Sequence, residues 1–192
     1  MKSFARSLVL AAAVAALPAM AAVQVKSAKF EDTLQVGSQA LVLNGAGVRV
    51  KIIVDVYAAG LYLPNKVRSE GKAISSTGAK SMQIVLLRDL TGEKFAEAMI
   101  DGFKANNTDA DIAKYQGKLD QLRSLMLTFG TVKEGTTINM TSIPGAGLRV
   151  YINGQQKGTE ITGDDFYQAM LKIWLGEKPV DSDLKSALLG GN

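Results

Sequence analysis

The side chain in this sequence that most requires a chemical explanation is Arg49. It closes the stretch Asn44-Gly45-Ala46-Gly47-Val48-Arg49, and eight residues later the chain runs Tyr57-Ala58-Ala59-Gly60-Leu61-Tyr62-Leu63. That pattern puts a single arginine at the mouth of an otherwise apolar β-hairpin. A guanidinium stays charged at any physiological pH. Removing it from water costs several kcal/mol unless an anion or hydrogen-bond acceptors meet it. Arg49 therefore predicts a partner, either a protein carboxylate or a bound acidic ligand. Asp55, the only acid inside the neighbouring apolar run, is the internal candidate.

Other chemistry is excluded by what the chain lacks. Its 192 residues include no His and no Cys. This removes the commonest metal ligand, the commonest general base and any disulfide. Zinc enzymes, Ser-His-Asp hydrolases and thiol oxidoreductases are ruled out, and no metal or cofactor is implied. If Arg49 serves a reaction as an electrostatic catalyst, the proton carrier has to be Tyr57 or a water. Of the four net positive charges, Lys2 and Arg6 account for two. No dense Lys/Arg cluster with interleaved aromatics follows, so nucleic acid is not an expected partner.

The first residues read as a secretory signal over 1–21. Lys2 and Arg6 are the charged start, Leu8 to Leu17 the apolar run, and Ala19-Met20-Ala21 a small-x-small cleavage site. The run is too short to span a bilayer, which takes about 20 residues, and nothing later is apolar enough. A single domain over 22–192, with no transmembrane segment and a periplasmic or secreted location, is the expectation. That length suffices for a good-sized core.

The positioning elements follow from periodicity. Ala40 to Leu43 reads as a short strand running into the Gly45–Gly47 segment. Ile52 to Leu63 is apolar on both parities, like a strand covered on both faces, and Pro64-Asn65 ends it. Val67 to Ser76 is weakly helical, and Ser81 to Leu87 is a strand. Thr91 can cap a helix whose Phe95, Met99 and Phe103 form one stripe. Thr108 with Asp111 resembles a capping box, followed by Ile112, Tyr115, Leu119, Leu122, Met126 and Phe129, with Gly130 as a stop. Thr137 to Ile143 and Leu148 to Ile152 read as strands, and Asn153-Gly154 is a hairpin signal. A helix spans Asp164 to Leu175, and a short one lies around Asp181 to Leu189. Together these predict an α+β fold, an antiparallel sheet packed against a layer of helices.

The order of these motifs resembles the chalcone isomerase-like family. The matching pieces are Leu43 to Arg49, Tyr57 to Leu63, Leu90-Thr91-Gly92 before a helix, and Ile173-Trp174-Leu175-Gly176-Glu177-Lys178-Pro179-Val180 with Leu188-Leu189-Gly190. The resemblance runs from about residue 25 to 190 and is nearest to the exported bacterial branch. It implies a large antiparallel sheet, a layer of helices and a ligand cleft between them. The plant enzymes of the family add a phenolate oxygen across an enone, and Arg49 matches their arginine. Their other active-site groups are absent. Tyr57 stands in place of a threonine, Phe95 in place of a tyrosine, Gly102 near an asparagine position and Ile173 near a threonine position.

The family's non-enzymatic branch binds fatty acids, with an arginine and a tyrosine on the hairpin holding the carboxylate. Arg49 and Tyr57 resemble that pair, and their even separation allows both side chains onto one sheet face. Phe95 and Met99 are the candidate walls for the ligand's tail. The leading expectation is a non-catalytic binder of a small amphipathic acid, with Arg49, Tyr57, Phe95 and Met99 as its site. An isomerase or intramolecular lyase using Arg49 is the alternative, and a structural or interaction domain without ligand is the third. Each residue also has a plainer reading. Arg49 could pair with Asp55, Tyr57 could bond a backbone carbonyl, the stripe from Phe95 could be core, and Trp174 could be a packing anchor.

Overall fold

The structure, a computed structural model, describes residues 22–191; the expected signal segment, 1–21, lies outside them. Three short strands lead, β1 (Ala22–Val25), β2 (Ala28–Glu31) and β3 (Thr33–Val36). Two long ones follow, β4 (Gln39–Lys51) and β5 (Val54–Leu63). After α1 (Glu70–Ser75) come β6 (Lys80–Leu86) and the two-residue β7 (Leu90–Thr91). The helices α2 (Gly92–Asn106) and α3 (Asp109–Leu127) precede a second two-residue strand, β8 (Thr131–Val132). The chain then returns to sheet with β9 (Thr137–Ile143), β10 (Gly147–Ile152) and β11 (Gln155–Ile161), and ends in α4 (Asp164–Leu175) and α5 (Ser182–Leu188).

Seven strands form one antiparallel sheet in the order β11-β10-β9-β6-β5-β4-β3, with β1–β2 and β7–β8 as separate two-stranded pairs. Alternation along β5 sorts its side chains between two layers. Tyr57, Ala59, Leu61 and Leu63 join the core made with the helices. Ala58 and Tyr62 join a smaller cluster on the other face, with Phe30 of β2 and with Leu41 and Leu43 of β4. Strands covered on both faces need not alternate apolar with polar, which is why β5 reads as continuously apolar. The expected helix-backed antiparallel sheet is what the chain forms.

The helix ends follow from side-chain chemistry. Thr91 Oγ1 accepts the Lys94 N–H at 3.2 Å, and Thr108 Oγ1 accepts the Asp111 N–H at 3.1 Å. These caps satisfy donors that the first turn leaves free. Asp181 Oδ1 caps α5 through the Asp183 and Leu184 N–H groups, both at 2.9 Å. On α3, Tyr115, Leu119, Leu122 and Met126 are buried, and burying each such side chain contributes about 1.5–3 kcal/mol.

Two expectations need correction: the strand of Ala40 to Leu43 does not end at the glycines, and the strand expected from Ile52 starts only at Val54. β4 runs on through the Gly45–Gly47 segment to Lys51. The reason is α5, which lies across these residues. A Cβ at Gly45 would collide with the Ala187 carbonyl, and one at Gly47 would sit 2.7 Å from Ala187 Cβ. The glycines admit a helix against the strand rather than bend the chain. The turn falls instead at Ile52–Ile53, between β4 and β5, with Ile52 at φ 64°. A β-branched residue is disfavoured there, so the residue types hide the turn.

Candidate functional site

The β4–β5 hairpin carries the site. Beside the tip, Lys51 lies opposite Val54 and Val50 opposite Asp55. Continued without interruption, that register would set Arg49 against Val56 and send Tyr57 to the other face. A bulge next to Arg49 shifts the ladder by one, and Arg49 lies directly opposite Tyr57. Opposed residues share a face. The pair therefore meets because of the bulge, not because an even separation guarantees it across a two-residue turn. The same bulge re-aims Val56, which is buried and lines the cavity beside Tyr57. The Arg49 Cζ lies 5.6 Å from the Tyr57 ring centroid, within cation–π range.

Asp55 does not answer Arg49. Its carboxylate pairs with Lys26 at 3.1 Å. The nearby Asp181 is also committed, its Oδ2 accepting the Val50 N–H at 2.8 Å while its Oδ1 caps α5. Among the described residues no ion pair includes Arg49. Its Nε is buried and makes no hydrogen bond. An unpaired, partly desolvated guanidinium is costly in the free protein, and an anion on it would remove that cost.

Tyr57 is held by a residue that sequence reasoning took only for packing. The Trp174 Nε1–H of α4 donates to the Tyr57 hydroxyl oxygen at 2.9 Å, and both side chains are buried. An indole N–H can only donate, so the Tyr57 oxygen accepts, and its own O–H proton has no acceptor among the described residues. The tyrosine is thus not bonded to a backbone carbonyl. Burial pushes its hydroxyl up to about 12, against the opposing pull of Arg49 and of the Trp174 bond. At neutral pH it is an uncharged donor. The one signal for Trp174 in the sequence is general: a buried indole N–H needs an acceptor.

These groups head a cavity of about 500 Å³, inside the size range of small-molecule sites. It lies between the β4–β5 hairpin, the Arg88–Asp89 segment, α2 and the end of α4. Val56, Leu90, Phe95, Ala98, Met99, Ile173 and Val180 supply its apolar wall. Lys51, Arg88, Lys94, Glu97 and Asp101 also line it. The structure therefore brings Arg49, Tyr57, Phe95 and Met99 together around one space. Phe103, the third member of the stripe, packs elsewhere, edge-on to Tyr115 with ring centroids 6.2 Å apart. The positions at which the plant enzymes carry further polar groups are closed to such chemistry. Phe95 and Ile173 are wall residues, and a Cβ at Gly102 would sit 2.8 Å from Ile173 Cγ2. Arg49 and Tyr57 are two converging donors of the kind a carboxylate accepts.

The class defined by these features is an antiparallel sheet backed by helices, with an arginine-headed and apolar-walled cavity between the layers. A profile of the chalcone isomerase-like family matches residues 22–190, and the chain belongs to that family. Among solved structures, the chain is similar to a crystal structure of an Arabidopsis thaliana fatty-acid binding protein. The TM-score is 0.69 at 20% identity, covering 88% of this chain and 96% of that one. A comparison with curated proteins gave no match.

Proposed function

We propose that this protein is an exported, periplasmic or secreted, non-catalytic carrier of a small amphipathic carboxylic acid such as a fatty acid. The observation that carries this reading is Arg49: a half-buried guanidinium with a buried, unbonded Nε, opening onto an apolar cavity beside a hydroxyl whose proton is uncommitted. The carboxylate takes Arg49 and the Tyr57 O–H, and the tail lies along Phe95, Met99 and Ile173. The similarity of the fold to a fatty-acid binding protein supports the same reading. Export rests on the charged, apolar and small-residue pattern of 1–21.

Two features weigh against an isomerase. A phenol pushed up to about 12 is a poor general base at neutral pH. At the positions where the plant enzymes carry a tyrosine, an asparagine and a threonine, this chain has Phe95, Gly102 and Ile173, none of which supplies a hydroxyl or an amide. A ligand-free interaction domain, in turn, needs Arg49 satisfied internally, and Asp55 is spent on Lys26.

The test is native mass spectrometry with organic extraction on Ala22–Asn192, beside Arg49→Ala. The account expects a co-purifying or added acid on the wild type that the variant loses. A wild type that is empty and shows no mass shift with added fatty acid refutes it.

A further inference from the structure

The tip of the site hairpin is apolar and fully presented to solvent. Ile52 and Ile53 are 92% and 88% exposed, and Val50 and Val54 on either side are about two-fifths exposed. Exposure alone is ordinary, but here it is combined with an unfavourable backbone. Ile52 sits at φ 64°, where Gly, Asn or Asp would be easier. Neither the fold nor the cavity uses these two side chains; they pack against no core cluster and do not line the site.

We propose that the Ile52–Ile53 tip docks the protein on an anionic lipid surface, so that the acid passes between bilayer and cavity without crossing bulk water. This deepens the carrier reading above and rests on it for the transfer role. Two side chains on the turn and two beside it fall well short of the about 800 Å² per partner of a stable protein interface. A bilayer interface needs no matching shape, and small apolar insertions with flanking cations suffice for reversible attachment. The charge is complementary. Lys51 stands between Val50 and Ile52, and Arg88 and Lys94 join it around the cavity. Two nearby acids are neutralised within the protein, Asp55 by Lys26 and Asp89 by Lys133. Glu97 and Asp101 on the cavity and Asp181, bonded to the Val50 N–H, offset much of this charge, so the apolar tip carries the larger share of the attachment. Arg49 lies three residues before Ile52, on the strand that leads into the tip, so a docked tip brings the arginine to the headgroup level, where acid heads reside.

Flotation with vesicles of phosphatidylcholine, alone or mixed with phosphatidylglycerol, tests the docking. The comparison is wild type against the double variant Ile52→Asn, Ile53→Ser. Asn tolerates positive φ, so the variant keeps the hairpin, and an unchanged or higher melting temperature verifies this. The wild type is expected to float, more strongly with the anionic lipid. The double variant should lose about tenfold or more in vesicle affinity while binding soluble decanoate unchanged. Its uptake of a fluorescent fatty acid from vesicles should no longer scale with vesicle concentration. A wild type that stays unbound, or a variant that floats equally, overturns docking. Decanoate binding without flotation overturns docking alone, whereas flotation without decanoate binding overturns the transfer role and the carrier reading together.

Discussion

Two buried tyrosines and two half-buried arginines divide the molecule into an end that is internally settled and an end that is not. Tyr167 of α4 donates to the Met140 carbonyl at 2.7 Å and accepts the Met82 N–H at 3.0 Å. Both capacities of its hydroxyl are used, and it ties α4 to β6 and β9. Tyr57 is as deeply buried, yet only its oxygen is engaged, by Trp174. The arginines differ in the same way. Arg149 on β10 meets Glu160 on β11, with Nη2 at 2.9 Å and Nε at 3.0 Å from one carboxylate oxygen. Arg49 on β4 meets no carboxylate among the described residues. Folding alone accounts for the first pair. The second pair is unsatisfied by the fold, and the two unsatisfied groups lie face to face at the head of the cavity.

The difference can be broken by mutation. Tyr167→Phe strands a backbone N–H and a backbone carbonyl in the core, and should cost about 3 kcal/mol in urea unfolding. Tyr57→Phe strands only the Trp174 N–H, and should cost about 1–2 kcal/mol while weakening decanoate binding about tenfold. Equal stability losses, or an unchanged affinity, would erase the distinction between the two tyrosines. The arginines should give a smaller contrast. Arg149→Met should cost little stability, because its ion pair is a third exposed and screened. Arg49→Met should leave the unliganded protein as stable or slightly more so, since it removes an unpaired charge. A clear destabilisation by Arg49→Met would mean that the arginine has an internal partner.

The smallest effect is in alkali. Because the folded Tyr57 ionises higher than a free tyrosine, its contribution to stability is complete below about pH 10. It is lost as pH rises through about 12. The tyrosinate absorbance of wild type minus Tyr57→Phe should therefore titrate near pH 12, and affinity for acid should stay flat across neutral pH. A difference titration near pH 10 would show that the hydroxyl is solvated.

How much of this was readable from residue types depends on whether local or distant contacts decide. Thr91, Thr108 and Gly176 punctuate α2, α3 and α4 by local chemistry, and those elements fall where periodicity puts them. The strand through Gly45 and Gly47 was hidden, because a helix some 140 residues later requires the missing Cβ atoms. The turn at Ile52–Ile53 was hidden because β-branched residues argue against it. With it went the register that decides whether Arg49 meets Tyr57. The bulge left no mark in composition. Arg49 was legible as a charge in need of a partner, but that Asp55 would be taken by Lys26 depends on how β1 and β2 fold back. The role of Trp174 required knowing which hydroxyl lay 2.9 Å away.

The central claim is that Arg49 receives a carboxylate. Calorimetric titration of decanoate and of its methyl ester into wild type and Arg49→Met tests it most directly. The account predicts that the wild type prefers the acid over the ester, and that the variant loses about a hundredfold in affinity for the acid with little change for the ester. Equal affinity of the wild type for acid and ester, or an acid affinity untouched by Arg49→Met, would contradict it.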